Sequence, residues 1–359
     1  MLPRLELKEI ISEASFDLLS MHPKAPFTQG YFYGEWQKNL GRAVKRFAVT
    51  SGSDVVCLFQ LITYPLLRGK KYLYAPYGPV ISSATQAGVR DNFAGEFSEK
   101  LLELLKEKLA EIARKENAVF VRLDFTPTPS AAQRELIEKK FKKAPLHTYH
   151  SAYFQPRTDL VLDLTKSHDE LLKEMDPKTR YGLRTAEKRG IKIEIVETGI
   201  VAYFNDFYAL MEETSRRNKF GLHPREYYEH IFENSEKQKN AYLVVARYEG
   251  KILVIDFILA FGVVANYVFS GSSTEHRRLC PSYLAQWEAI LHAKKLGCAE
   301  YNFGGITTEN DAHKDWGGLS FFKKRFGGKE FVHSPFYDLV TQPAWYHLYS
   351  LRKLIKTIL

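Results

Sequence analysis

Three basic residues, Lys323, Lys324 and Arg325, stand together in GLSFFKKRFGG between aromatic residues and a pair of glycines. On residue type alone such a run reads as a solvated loop. Asp124 closes the apolar stretch FVRLDF, where a carboxylate can bind an ammonium and take its proton if its own pKa allows. A salt bridge to Arg122 or a turn cap competes with that role. Asp256 lies among apolar residues in ILVIDFILAF. Burial would raise its pKa and suit it to act as a base, and hydrogen bonding within a core or exposure on alternate strand positions is the other outcome. In PKTRYGLRTAEKRG, helical spacing sets Arg180, Arg184 and Lys188 four residues apart on one face. That face suits phosphates, or simply keeps the surface soluble. Cys57, Cys280 and Cys298 are far apart and odd in number, so neither a disulfide framework nor a metal site is expected.

At 359 residues the chain has length for about two domains. Its formal charge of +9 favours polyanions such as RNA, sugar nucleotides or an anionic membrane surface. Aromatic residues make up 14%, with 21 Tyr and 24 Phe, enough for packed α/β cores or a long substrate groove. MLPRLELKEI lacks the apolar run of a signal peptide, and no stretch of about 18 apolar residues is present. A cytoplasmic monomer, able to rest on the inner face of the plasma membrane, is the expectation.

The elements that must position these residues occur twice. RAVKRFAV and VVCLFQLI form two strands around a turn at 51–54; KKYLYAPYGPV adds a third, a helix is predicted over 93–116, and AVFVRLDF closes the series. AYLVVARY and ILVIDFILAF repeat the hairpin around Glu249-Gly250-Lys251, followed by ANYVFSGSS, the helix PSYLAQWEAILHAKKLG and AEYNFGGI. Tight turns make the early strands antiparallel, while the intervening helix requires a parallel crossover. The predicted fold class is α/β, with mixed sheets flanked by helices, similar to tandem acyl-CoA N-acyltransferase (GNAT-like) domains. The expected domains are 1–155, with 334–359 packing back on it, and 156–333; the join lies near 145–160. Ser167 is a predicted N-cap with Glu170 three residues on, Pro177 opens the basic helix and Gly190 follows its end. YHLYSLRKLIKTIL reads as a short basic amphipathic helix.

FTQGYFYGEW, YAPYGPV, DPKTRYGLRTAEKRGI, SRRNKFGLHPREYY, YNFGGI and GLSFFKKRFGG follow in that order and at compatible spacing. Together they resemble the FemABX family of aminoacyltransferases over about 27–349. The resemblance implies two acetyltransferase-like domains separated by a cleft, without a long helical hairpin insertion. It also implies aminoacyl-tRNA as donor and a peptidoglycan precursor stem peptide as acceptor, UDP-MurNAc-linked or lipid-linked, with no cofactor and no metal. Such a reaction joins an activated ester to an amine through an oxyanion, so it needs a positive donor, a way to deprotonate the amine, and anion holders.

By this resemblance Phe322 and Lys323 border the catalytic cleft, the lysine stabilising the transition state or holding the tRNA end. Arg122 and Asp124 match a motif facing the acceptor peptide; proton transfer through the tRNA ribose is the alternative to Asp124. Tyr227 matches a family tyrosine, His223 stands where the family has arginine, and Lys38 lies near a phosphate-binding position of the first domain. Arg180 and Arg184 suit the tRNA acceptor arm.

Two other classes remain. An acyl-CoA N-acyltransferase needs a glycine-rich loop whose amides cradle a pyrophosphate at a helix start. Arg277-Arg278-Leu279-Cys280-Pro281-Ser282 lacks both glycines and one amide, and PVISSATQAGV matches no better. A non-catalytic RNA-binding protein is permitted by the charge, although two repeated acyltransferase-type cores argue against it.

Overall fold

The structure, a computed structural model, describes residues 4–16, 18–82, 96–148, 155–308 and 317–358. They divide into two compact units, 1–157 with 333–359, and 158–332. Residues 149–154 of the predicted join at 145–160, residues 93–95 of the predicted helix and 83–89 of PVISSATQAGV lie outside the described residues.

The first unit begins with strand β1 (Leu5–Glu9), the short helix α1 (Leu18–Met21) and α2 (Tyr31–Asn39). Strands β2 (Val44–Ser51), β3 (Asp54–Pro65), β4 (Lys71–Ala75) and β5 (Val80–Ile81) follow, then α3 (Glu96–Lys115), β6 (Ala118–Leu123), α4 (Ala131–Glu138) and β7 (Lys142–Lys143). All six residues of β6 are buried. On α3, Leu101, Leu102, Leu105, Leu109 and Ala113 form one buried stripe at helical spacing against that sheet.

The second unit runs β8 (Thr158–Asp163), α5 (His168–Glu174), α6 (Pro177–Lys188), β9 (Lys192–Val196), α7 (Phe204–Asn218) and α8 (Arg225–Gln238). It continues with β10 (Ala241–Tyr248), β11 (Lys251–Phe261), β12 (Val264–Ser272), α9 (Pro281–Lys295), β13 (Glu300–Gly305), α10 (Gly317–Lys324) and β14 (Lys329–Val332). Its sheet order is β14-β8-β13-β12-β11-β10-β9. Ser167 and Glu170 form a reciprocal capping box on α5, and Pro177 opens α6 behind the N-cap Asp176.

The chain then re-enters the first unit with β15 (Tyr337–Val340) and α11 (Pro343–Ile358). Strand β15 pairs antiparallel with β6, Asp338 opposite Arg122, and completes the order β1-β2-β3-β4-β6-β15-β7, with β5 paired to β3. Each unit therefore repeats two antiparallel strand pairs followed by a helix and a parallel pair, β4 with β6 and β12 with β13.

The two parallel pairs differ. In the first unit β4 and β6 stay paired to their last residues, Ala75 opposite Leu123. In the second, β12 and β13 pair only from Val264 to Asn266, opposite Glu300 to Asn302. Beyond that point β12 stays with β11, and β13 goes with β8. The sheet consequently opens between the two strands. A bulge in the β11–β12 pairing past Phe257 and the left-handed Gly304 (φ 71°) bend the strands where they part.

Candidate active site

The opening in the second sheet supplies groups that ordinary strand pairing would have used. Asn302 replaces part of the lost ladder: its Oδ1 accepts the Gly304 amide at 2.7 Å, and its Nδ2 donates to Asp159 Oδ2 at 2.8 Å. Asp159, on β8, sits opposite Gly305 and is buried. Along β12, Asn266 to Ser270 are all half-buried, whereas the middle of the neighbouring β11 is buried throughout.

Helix α10 delivers Lys323 to this place. Ser320 and Lys323, three residues apart, form its buried side, and Ser320 Oγ accepts the Thr307 amide at 2.8 Å. Lys323 is the only lysine buried among the described residues, at 5% exposure. Its Nζ donates to the Gly305 carbonyl at 2.7 Å and lies 3.9 Å from where a Cβ on Gly304 would stand. Burial pulls the amine down from 10.5 to about 8, with Asp159 pulling it back up. Phe322 turns to the apolar side, its ring 5.2 Å from Tyr283 and 5.3 Å from Phe326. Lys324 is exposed and paired with Glu330 at 2.7 Å, and Arg325 is bound to Asp176 and the Tyr283 hydroxyl. The basic run is thus three different environments.

Asp256 is buried on β11, opposite Ser270 of β12. Burial raises its carboxyl to about 7, with a hydrogen bond from the Ser270 side chain opposing the rise. Oδ1 of Asp256 has no hydrogen-bond partner. Tyr267, which also interacts with Ser270, is pushed well above its usual range by burial and then by the Asp256 charge. An acid titrating near neutrality therefore lies on the strand pair that borders the opening.

His223 and Tyr227 meet at the start of α8, their rings stacked 4.0 Å apart. Tyr227 and Tyr228 approach the Phe269 ring edge-on at 6.3 and 5.2 Å, which ties this end of α8 to β12. Arg225 turns away, over the rings of Phe204 and Tyr208. Arg217 donates to the Ser272 carbonyl at 2.7 Å.

Several residues singled out by sequence have internal work instead. Arg122 is fully buried and bidentate to Asp338 at 2.7 and 2.6 Å, with further bonds to Thr148, so its guanidinium is not offered to an acceptor. Asp124 does not pair with Arg122: its Oδ2 accepts from the Tyr74 hydroxyl at 2.9 Å and its amide donates to the Gly78 carbonyl. Burial holds its carboxyl well above the usual range, more than Tyr74, the Tyr77 and Gly78 amides and Arg122 can offset. Asp124 thus has an internal partner in the Tyr74 hydroxyl, beside the role of base expected of it. Lys38 is exposed and paired with Glu35 at 2.9 Å. Arg180 is drawn inward to the last carbonyls of α5, Leu172 at 3.1 Å and Met175 at 2.5 Å, leaving Arg184 and Lys188 exposed on α6.

FTQGY and YAPYGPV turn out to be one buried latch. Thr28 Oγ1 and Gln29 Nε2 both donate to the Pro76 carbonyl at 2.9 Å, and Gln60 ties down Thr28, Gln29 and Gly30. Before α9, Cys280 is left-handed (φ 60°) and Pro281 occupies the first helical position without an amide. Arg277 and Arg278 there are exposed. Among the described residues no group of three or more His, Cys, Asp or Glu could hold a metal. Sequence reading passed over Asp159, Asn302 and Tyr267; the signal for the first two was a polar residue at the head of the apolar strand DLVLDL and inside YNFGG, and Tyr267 in ANYVFSGSS had none.

Comparison with solved structures supports two tandem GNAT-like units. The chain superposes on a crystal structure of FemX with a TM-score of 0.81, at 21% identity over 96% of this chain and 100% of that one. It superposes on a tandem GNAT protein from the clavulanic acid biosynthesis pathway with a TM-score of 0.50, at 13% identity over 93% and 98%. Among curated proteins, it is similar to Lipid II:glycine glycyltransferases of Staphylococcus epidermidis, 22% identical over 96% of this chain and 95% of the relative. The protein of that name in Staphylococcus aureus is 23% identical over 94% and 96%. The opening that carries Lys323 and the α8 segment of His223 and Tyr227 both lie within residues 11–253 and 250–353, which match the model of the FemAB family, and the chain belongs to that family.

Proposed function

We propose that this chain is an aminoacyltransferase, moving an amino acid from aminoacyl-tRNA to an amine of a peptidoglycan precursor stem peptide, with a lipid-linked precursor as acceptor. The family match and the relatives named as glycyltransferases support a transferase acting in peptidoglycan bridge synthesis. One observation carries the chemistry: a buried lysine amine held at the point where two parallel strands part.

In this reading the acceptor amine attacks the carbonyl carbon of the aminoacyl ester. A C–N bond forms, the ester C–O bond breaks, and the ribose hydroxyl leaves with a proton. With a pKa near 8, Lys323 is largely cationic at neutral pH. Charge developing on the carbonyl oxygen is stabilised by such a cation far more in a water-poor site than in solvent. Asp256, titrating near 7, is the carboxylate suited to receive a proton from the attacking ammonium, in place of Asp124. Arg184 and Lys188, with Arg277 and Arg278, are among the exposed cations of the second unit suited to tRNA phosphates.

An acyl-CoA donor is the competing reading, and Cys280-Pro281 weighs against it because that helix start lacks the glycines and an amide. The test is single-turnover transfer from glycyl- and alanyl-tRNA to lipid-linked and UDP-linked muropeptides, with acetyl-CoA as a control donor. Turnover with acetyl-CoA and none with charged tRNA would overturn the proposal.

A further inference from the structure

Helix α11 is apolar on two opposite sides, and only one of them is used by the fold. Its inner side is aromatic: Tyr346 is buried with its hydroxyl 2.7 Å from Asp338 Oδ2, and the Tyr349 ring lies 5.1 Å from Phe120. Those contacts anchor the helix in the first unit. The outer side carries Leu348, Leu351 and Ile355, at the spacing of one helical stripe, with Leu354 beside them. Leu351 is 54% exposed and Ile355 48%. Leu67, 48% exposed at a neighbouring turn, shares a shallow groove with Leu348 and Arg352. Exposed aliphatic side chains clustered in this way form the kind of patch that docking surfaces present.

We infer that this outer face of α11 docks the protein on the surface of an anionic lipid bilayer. Charge selects the occupant. The helix has Arg352, Lys353 and Lys356 and no acidic residue, in a chain of net charge +9. An amphipathic helix with aliphatic residues on one side and basic residues at its flanks lies in the interface of an anionic bilayer. A second copy of the chain fits less well, because pairing the helix with itself brings like charges together with no acid on it to compensate. No helix among the described residues is long and apolar enough to cross a membrane, so the contact is one of docking on the surface. The inference rests on the proposed lipid-linked acceptor only for its purpose, which is to bring the protein to the surface where that acceptor lies.

The test is flotation of the full chain with vesicles of phosphatidylglycerol and phosphatidylcholine, or of phosphatidylcholine alone, at low and high salt. The wild type is expected to float with the anionic vesicles only, less so at high salt, and Leu351→Glu/Ile355→Glu to lose about tenfold or more in partition. Arg352→Glu should also weaken binding without altering the aliphatic stripe, and circular dichroism checks that each variant is folded. Failure of the wild type to bind anionic vesicles, or equal binding by the folded double variant, overturns the inference. A wild-type dimer that Leu351→Glu/Ile355→Glu dissociates would assign the face to a second copy instead. The outcome is independent of the proposed reaction, since vesicle binding is read without substrate. If the reaction also holds, the double variant should keep transfer to a detergent-solubilised lipid-linked acceptor and lose it selectively with a vesicle-borne one.

Discussion

Lys323 and Lys324 are adjacent in sequence, yet one amine is buried against the Gly305 carbonyl at 2.7 Å and the other is exposed against Glu330 at the same distance. A helix turns successive residues by about 100°, so a two-residue basic run on α10 cannot face one environment. Lys323→Met keeps the apolar stem and should lower single-turnover transfer by roughly 100- to 1000-fold, or about 3–4 kcal/mol. Lys324→Met should change transfer little and stability by less than about 1 kcal/mol. Equal small losses in the two folded variants would mean the site lies elsewhere.

The same amine makes stability and activity move in opposite directions with pH. Folding lowers the Lys323 pKa from 10.5 to about 8. Between those values the unfolded chain binds the extra proton, so this group's contribution to stability rises with pH from about 8 to about 10.5. The gain over Lys323→Met should be on the order of 3 kcal/mol across that window, read from denaturant melts. Transfer, which uses the cation, should fall over the first part of it.

Asp256 sets the other limb. Its folded pKa is raised from 3.8 to about 7, so its contribution to stability is present below about 4 and is lost as pH rises through 7. Asp256→Asn should therefore melt higher than the wild type at pH 8 and show no such gain at pH 4. If the carboxylate receives the amine's proton, wild-type transfer rises through pH 7 and the variant loses that rise. A pH–rate profile unchanged by the substitution would return Asp256 to a purely internal role.

Asp124→Asn preserves the shape of this buried side chain and its acceptance of the Tyr74 hydroxyl. Acceptor kinetics should stay within about threefold of wild type, a change below about 1 kcal/mol. A selective collapse of acceptor use in the folded variant would restore Asp124 to the chemistry.

Asp338→Ala removes the buried partner of Arg122 and leaves a guanidinium without its counter-charge. The expected loss is about 3–5 kcal/mol in denaturant melts. It should also release α11, whose Tyr346 hydroxyl bonds the same carboxylate, and so expose sites in 343–358 to limited proteolysis. A stability loss without added cleavage there would separate the two roles.

Period and punctuation determined the elements and their repetition. The hairpins around Gly52 and Gly250, the capping box of Ser167 and Glu170, the proline start of α6 and the order of strands around α3 and α9 all follow from local chemistry. The return of the C-terminal segment does not, since apolar YDLV reads as a strand only once β6 is there to pair with it. What each polar residue does was decided by contacts far apart in the chain. Arg122 near the end of β6 and Asp124 just past it read as a pair in RLD, but Asp338, 216 residues on, takes the arginine, and Tyr74 takes the acid. The opening between β12 and β13 left no mark in the pattern of apolar residues, because strands that part keep the same alternation as strands that pair. Only the tertiary structure shows that one repeat is zipped and the other open. That difference makes one lysine of a basic run a buried cation, because burial depends on the neighbours the whole chain supplies and not on the residues beside it.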